Sequence, residues 1–122
     1  MKTSEKIRQR LKEKEVRFHS NDNIAEYIEK GEIEELQKEV EDSFSGVLDA
    51  LVIDTENDHN TKETARRVAK MYIQEIFAGR FVNPPKVTSF PNMGYRSLYT
   101  SGPISVRSTC AHHFQNIVGK CW

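Results

Sequence analysis

Ile104-Ser105-Val106-Arg107-Ser108-Thr109-Cys110-Ala111-His112-His113-Phe114-Gln115-Asn116-Ile117-Val118-Gly119-Lys120-Cys121-Trp122 runs from one alternating segment to another. Ile104, Val106 and Ser108 alternate with Ser105, Arg107 and Thr109, which is the period-two pattern of a strand. Residues 117–122 read as a returning strand, so the stretch is a β-hairpin with Cys110-Ala111-His112-His113 at its tip. Cys110 keeps the parity of Ile104 and Val106. The sequence stops inside the second arm, and a bare arm of this kind is an open edge. The expectation is that a further segment pairs with it.

Up to about residue 78 the chain reads as helices separated by polar breaks, and from Val87 onward Pro91, Asn92 and Gly94 mark turns. Val68, Met71, Tyr72, Ile76 and Phe77 form the apolar face of a helix over 62–78, with Thr61 or Thr64 as cap and Gly79 as terminator. Asn83-Pro84-Pro85 then forbids further helix. Ile33, Leu36, Val40, Phe44, Val47, Leu48, Leu51 and Val52 make one stripe along 32–53, and Glu32, Glu34 and Glu35 suit the positive end of that helix. Ile24, Tyr27 and Ile28 suggest a short helix capped by Asp22 or Asn21 and closed by Gly31. Residues 5–15 carry only Ile7, Leu11 and Val16 as apolar points, which predicts a weak helix, exposed or packed on a partner. The fold class is therefore α+β, with a helical region over 1–60 followed by a helix and hairpin over 61–122.

With 122 residues, 37% hydrophobic, the chain is short of material for a self-sufficient core, which points to association with other subunits. Eighteen basic and eighteen acidic residues cancel, so no basic field suggests nucleic acid. No apolar run approaches the roughly 20 residues of a membrane span. Met1-Lys2-Thr3-Ser4-Glu5 leads into charged residues and not into an apolar signal core. The protein is expected to be soluble and cytoplasmic. Cys110 and Cys121 make no disulfide framework, and a cysteine beside histidines in a reducing compartment reads as a metal or reactive site.

Thiolate and imidazole suit zinc. In a tight turn, residues three apart converge, so Cys110 and His113 can share one ion, while His112 is left free beside it for proton transfer near neutral pH. Two other readings of the tip stand beside this one: a polar turn without metal, and a structural zinc site, which would need four protein ligands. Cys121 is a candidate third ligand. His19 and His59 sit in polar loops and read as solvated or capping residues.

Two blocks of the sequence resemble the GTP cyclohydrolase I family. Glu63-Thr64-Ala65-Arg66-Arg67-Val68-Ala69-Lys70-Met71-Tyr72, running on to Glu75-Ile76-Phe77-Ala78-Gly79, is similar to the family's T-P-x-R-V-A-K-M-Y and E-I-F-x-G helix. Ser108-Thr109-Cys110-Ala111-His112-His113-Phe114 with Gly119-Lys120 is similar to its S-T-C-E-H-H-F…G-K segment. With the long helix before them, the resemblance covers about residues 32–122.

The resemblance implies a tunnelling fold of which this chain holds the N-terminal helices and first hairpin. In such a fold, subunits share a sheet around a barrel and assemble into a decamer. It implies Zn2+ held by Cys110 and His113, with His112 as the catalytic histidine that exchanges protons with the purine. It implies GTP as substrate: the imidazole ring opens at C8, formate leaves and 7,8-dihydroneopterin triphosphate results, in pterin, tetrahydrofolate or deazapurine synthesis. Arg66 and Arg67, with Lys70 and Arg107, are candidates for the triphosphate, set against a plain solvated basic face. Three departures stand out. The family's helix-start proline is Ala65, which bears on stability more than chemistry. Its acidic residue between Cys and His is Ala111, which removes a group that would orient the site. The family region carrying a second cysteine ligand, a guanine-holding glutamate and more basic groups has no counterpart here. The expected partners are therefore a homo-oligomer or a complementary C-terminal half. The rival reading is a non-catalytic remnant that binds a homologue through its open strand.

Overall fold

In the computed structural model, which describes residues 1–122, the first helix, α1, spans Thr3–Glu13. Ile7 and Leu11 lie four apart on one face and both are buried, Leu11 at 1% exposure. They close a core cluster with Ile24, flanked by Val16, Phe18, Tyr27, Ile28, Leu36 and Phe81. The helix expected to be exposed or partner-bound thus packs into the chain's own core. Its apolar stripe is narrow, but several distant segments converge on it.

Residues 24–28 form only a 3-10 turn, Ala25–Tyr27, and not a capped α-helix. Asn23 Oδ1 accepts the Ala25 amide at 2.9 Å. Asp22, the expected cap, is occupied by the Arg17 guanidinium at 2.6 and 2.9 Å and by the His19 amide at 2.7 Å. Gly31, with φ of +90°, takes the left-handed turn that opens α2, Glu32–Ala50. Helix α2 stops short of residue 53, because Leu51 is its C-cap and Val52 turns left-handed at φ +61°. Its stripe divides along its length. Leu36, Val40, Phe44 and Leu48 are wholly or partly buried, whereas Val47, Leu51 and Val52 are exposed.

Helix α3, Thr64–Met71, runs into a π-turn, Tyr72–Ile76, and then into α4, Ala78–Phe81. The Phe77 amide reaches back five residues to the Tyr72 carbonyl at 2.9 Å, the π hydrogen bond. Tyr72 stacks between Phe44 of α2, at 5.4 Å, and Phe77, at 5.9 Å. Neither expected threonine caps α3. Thr61 Oγ1 donates to the Asp58 carboxylate at 2.9 Å, and Glu63 occupies the cap position without capping the backbone through its side chain. Gly79 does not end the helix; it lies inside α4, and the backbone becomes extended only at Val82, before Asn83-Pro84.

The chain forms two compact units, Met1–Asn83 and Pro84–Trp122. The second holds the hairpin, β1 (Ile104–Thr109) and β2 (Asn116–Cys121), paired antiparallel from Ile104↔Cys121 to Thr109↔Asn116. Four α-helices followed by a two-stranded sheet make an α+β fold in the order expected for the opening of a tunnelling domain.

Candidate metal centre

Beyond the last strand pair, Thr109↔Asn116, the Cys110 amide donates to the Gln115 carbonyl at 2.8 Å. The Phe114 amide donates to the Cys110 carbonyl, also at 2.8 Å, closing a single α-turn over Cys110–Phe114. Phe114 adopts φ +54°, the left-handed step that turns the chain back into β2. The tip is exposed from Ala111 to Gln115, and Cys110 is half-buried.

Cys110 Sγ lies 3.4 Å from Nδ1 of His112. The structure therefore brings together Cys110 and His112, while His113 is exposed and makes no hydrogen bond to the thiol. Strand alternation ends at Thr109, so the approach of His112 to Cys110 comes from the turn itself and no spacing in the sequence announces it. Cys121 sits opposite Ile104 at the far end of the ladder, roughly 17 Å from the tip at about 3.4 Å per residue. That distance removes Cys121 as a third ligand within this hairpin.

The donor chemistry at the tip, one thiol and two imidazoles, fits zinc. No group of three or more His, Cys, Asp or Glu side chains converges anywhere in the 122 residues.

His19 and His59 are exposed and belong to no such group. Arg66 pairs with Glu63 one helical turn away at 2.6 Å, and Arg67 is exposed; both belong to the first unit. Arg107 stands opposite Val118 on β1, exposed.

The sequence model of GTP cyclohydrolase I matches residues 40–122, which include α3, the hairpin and its Cys-Ala-His-His tip. The chain belongs to the GTP cyclohydrolase I family.

Among curated relatives, the GTP cyclohydrolase 1 of Aliivibrio salmonicida is 37% identical over 89 residues, covering 71% of this chain and 41% of that protein. The GTP cyclohydrolase 1 of Shewanella baltica is 38% identical over 88 residues, covering 70% of this chain and 40% of that protein. That of Aliivibrio fischeri is 37% identical over 89 residues. The chain thus spans about two fifths of the length of the GTP cyclohydrolase I relatives it matches. The family match begins inside α2, so α1 and the 3-10 turn lie before it. No helix is long and apolar enough to cross a membrane.

Proposed function

We propose that this chain serves the hydrolytic opening of the imidazole ring of GTP at C8, giving formate and 7,8-dihydroneopterin triphosphate. The observation that carries the reading is the α-turn at the hairpin tip, which sets Cys110 beside His112, with His113 next along the same turn, inside the stretch matched to the family. Cys110 and His113 would hold Zn2+, which acts as a Lewis acid when bound. His112 would move the proton. Its Nδ1 faces the Cys110 thiol, which leaves Nε2 to exchange a proton with the purine nitrogen. Arg66 and Arg67 would meet the triphosphate, as forks suited to phosphate oxygens.

A catalytic zinc needs about three protein ligands, and the tip offers two for this role. The remaining ligand would come from outside these 122 residues, and the reaction would serve pterin, tetrahydrofolate or deazapurine synthesis in the cytoplasm. The 122 residues alone would then turn over no GTP. The experiment is a neopterin fluorescence assay on the purified chain, alone and co-purified with a full-length GTP cyclohydrolase 1. Product from the chain alone would refute the incomplete-site reading. Retention of GTP and zinc at Cys110 and His113 without any product would favour the second reading.

That second reading is a non-catalytic module that adds its hairpin to a homologue's sheet. It is supported by the exposure of every β2 residue and by the two-stranded sheet, whose outer edges are both unpaired.

A further inference from the structure

Two segments of the first unit, more than fifty residues apart, hold each other by hydrogen bonds running in both directions. Arg80 Nη1 donates to the carbonyl oxygens of His19, of Ser20 at 3.4 Å and of Asp22 at 3.0 Å. Its Nη2 donates to that of Phe18 at 3.1 Å. In return, Asn23 Nδ2 donates to the carbonyls of Gly79 at 2.8 Å and Val82 at 2.6 Å. The Ile24 amide donates to the Arg80 carbonyl at 2.8 Å.

We propose that residues 18–24 and 78–82 form a two-way latch that opens as one piece, fastening an N-terminal strap, residues 1–24, to the last turn of the first unit. The chemistry makes it cooperative. The loop Phe18–Asp22 aims several carbonyl dipoles at one point, an arrangement that is repulsive without a cation at its centre. The guanidinium supplies that cation with no carboxylate ion pair of its own, because the Asp22 carboxylate is taken by Arg17. Burial lowers the Arg80 pKa, against the opposing charge of Asp22. Once Arg80 leaves, the loop spreads, Asn23 loses its alignment, and the carbonyls of Gly79 and Val82 lose their donor.

The latch also guards apolar surface. Ile24 is buried against Ile7 and Leu11, and Phe81 packs on the same cluster, so its opening wets the core at that end. The opposite end of the strap has separate fastenings. Ser4 donates through its amide and hydroxyl to Glu39 at 3.1 and 2.6 Å, and Arg10 binds Glu32. Opening therefore begins at the latch, while α1 stays tied to α2. The strap lies before the stretch matched to the family, and Arg80, Gly79 and Val82 lie within it, so the latch bonds cross from one to the other.

Hydrogen exchange on the whole 122-residue chain tests this. Arg80→Ala is expected to speed exchange by about tenfold or more at Ile24 and across Ala78–Val82 together, leaving the middle of α2 unchanged. Asn23→Ala should loosen the same two segments, and the double variant should add little to either. Free guanidinium at millimolar concentration should restore protection to Arg80→Ala and not to Asn23→Ala. Loosening of 18–24 alone, additive single effects, or no rescue would overturn the latch. Should Arg80→Ala fail to fold, Arg80→Lys and Asn23→Ala carry the test: either variant disturbing only its own segment overturns it.

Discussion

Arg10 of α1 grips Glu32 of α2 through two parallel hydrogen bonds, each 2.9 Å long. The same guanidinium also reaches Glu29 at 3.0 Å and the Tyr27 carbonyl. The bond from Arg10 holds the Glu32 carboxyl below its ordinary value, against the opposing effect of burial. Arg17 does the same for Asp22. At Glu39, burial raises the pKa, but the bonds from Ser4 and Thr3 outweigh it and the net shift is downward.

Each of these carboxylates binds a proton less readily folded than unfolded. The stability they contribute is present above the ordinary carboxylate range and is lost as pH falls through the depressed values. The melting temperature should therefore hold between neutrality and about pH 5 and drop below about pH 4. Glu32→Gln should lower it at neutral pH and flatten the acid limb. An acid limb as steep as the parent's would show that the ion pair is not its source.

Leu11 is the large side chain most completely enclosed, at 1% exposure. Leu11→Ala should cost about 2–4 kcal/mol in denaturant unfolding, from lost burial plus the cavity left behind. Val52, at 91% exposure beyond the end of α2, provides the contrast, and Val52→Ala should change stability by less than about 0.5 kcal/mol. Equal losses at the two sites would deny α1 its place in the core.

Gly102 meets the far end of the hairpin at close quarters. A Cβ there would stand 2.8 Å from Trp122 Cδ1 and 2.9 Å from the Cys121 carbonyl oxygen, at a backbone φ of +153°. Gly102→Ala should destabilise that end by about 1–3 kcal/mol, seen as faster amide exchange along β2 with the helical unit unaffected. Unchanged exchange at Lys120 and Cys121 would mean that the contact carries no weight.

At the tip, the two histidines are expected to part company. In a complex of this chain with a full-length family member, His113→Ala should abolish zinc at the Cys110 site, whereas His112→Ala should keep the metal and stop ring opening. Metal analysis and the neopterin assay read these separately. Loss of zinc from His112→Ala would exchange the two roles, an outcome given a physical route by the 3.4 Å approach of His112 Nδ1 to Cys110 Sγ.

Much was legible in the sequence wherever a pattern is local. The alternation from Ile104 to Thr109 gave the hairpin and put Cys110-Ala111-His112-His113 at its tip, and β2 begins one residue earlier than expected. The three- and four-residue spacing from Ile33 to Leu48 gave α2. Two quoted motifs gave the family. These signals depend on backbone periodicity and residue chemistry within a few positions, which the linear order of residues records directly.

Tertiary structure decided the rest. Gly79 could have ended a helix, but the π-turn before it carries the chain on to Phe81. Asp22 could have capped one, but Arg17 and the His19 amide claim it. The sparse face of α1 became core because Ile24, Leu36 and Phe81 meet it. Cys121 is held away from Cys110 by the hairpin's register, and Arg80 takes its partners from carbonyls more than fifty residues earlier. A side chain's choice among competing partners depends on which segments converge around it, and that convergence is set by burial across the whole fold and not by spacing along the chain.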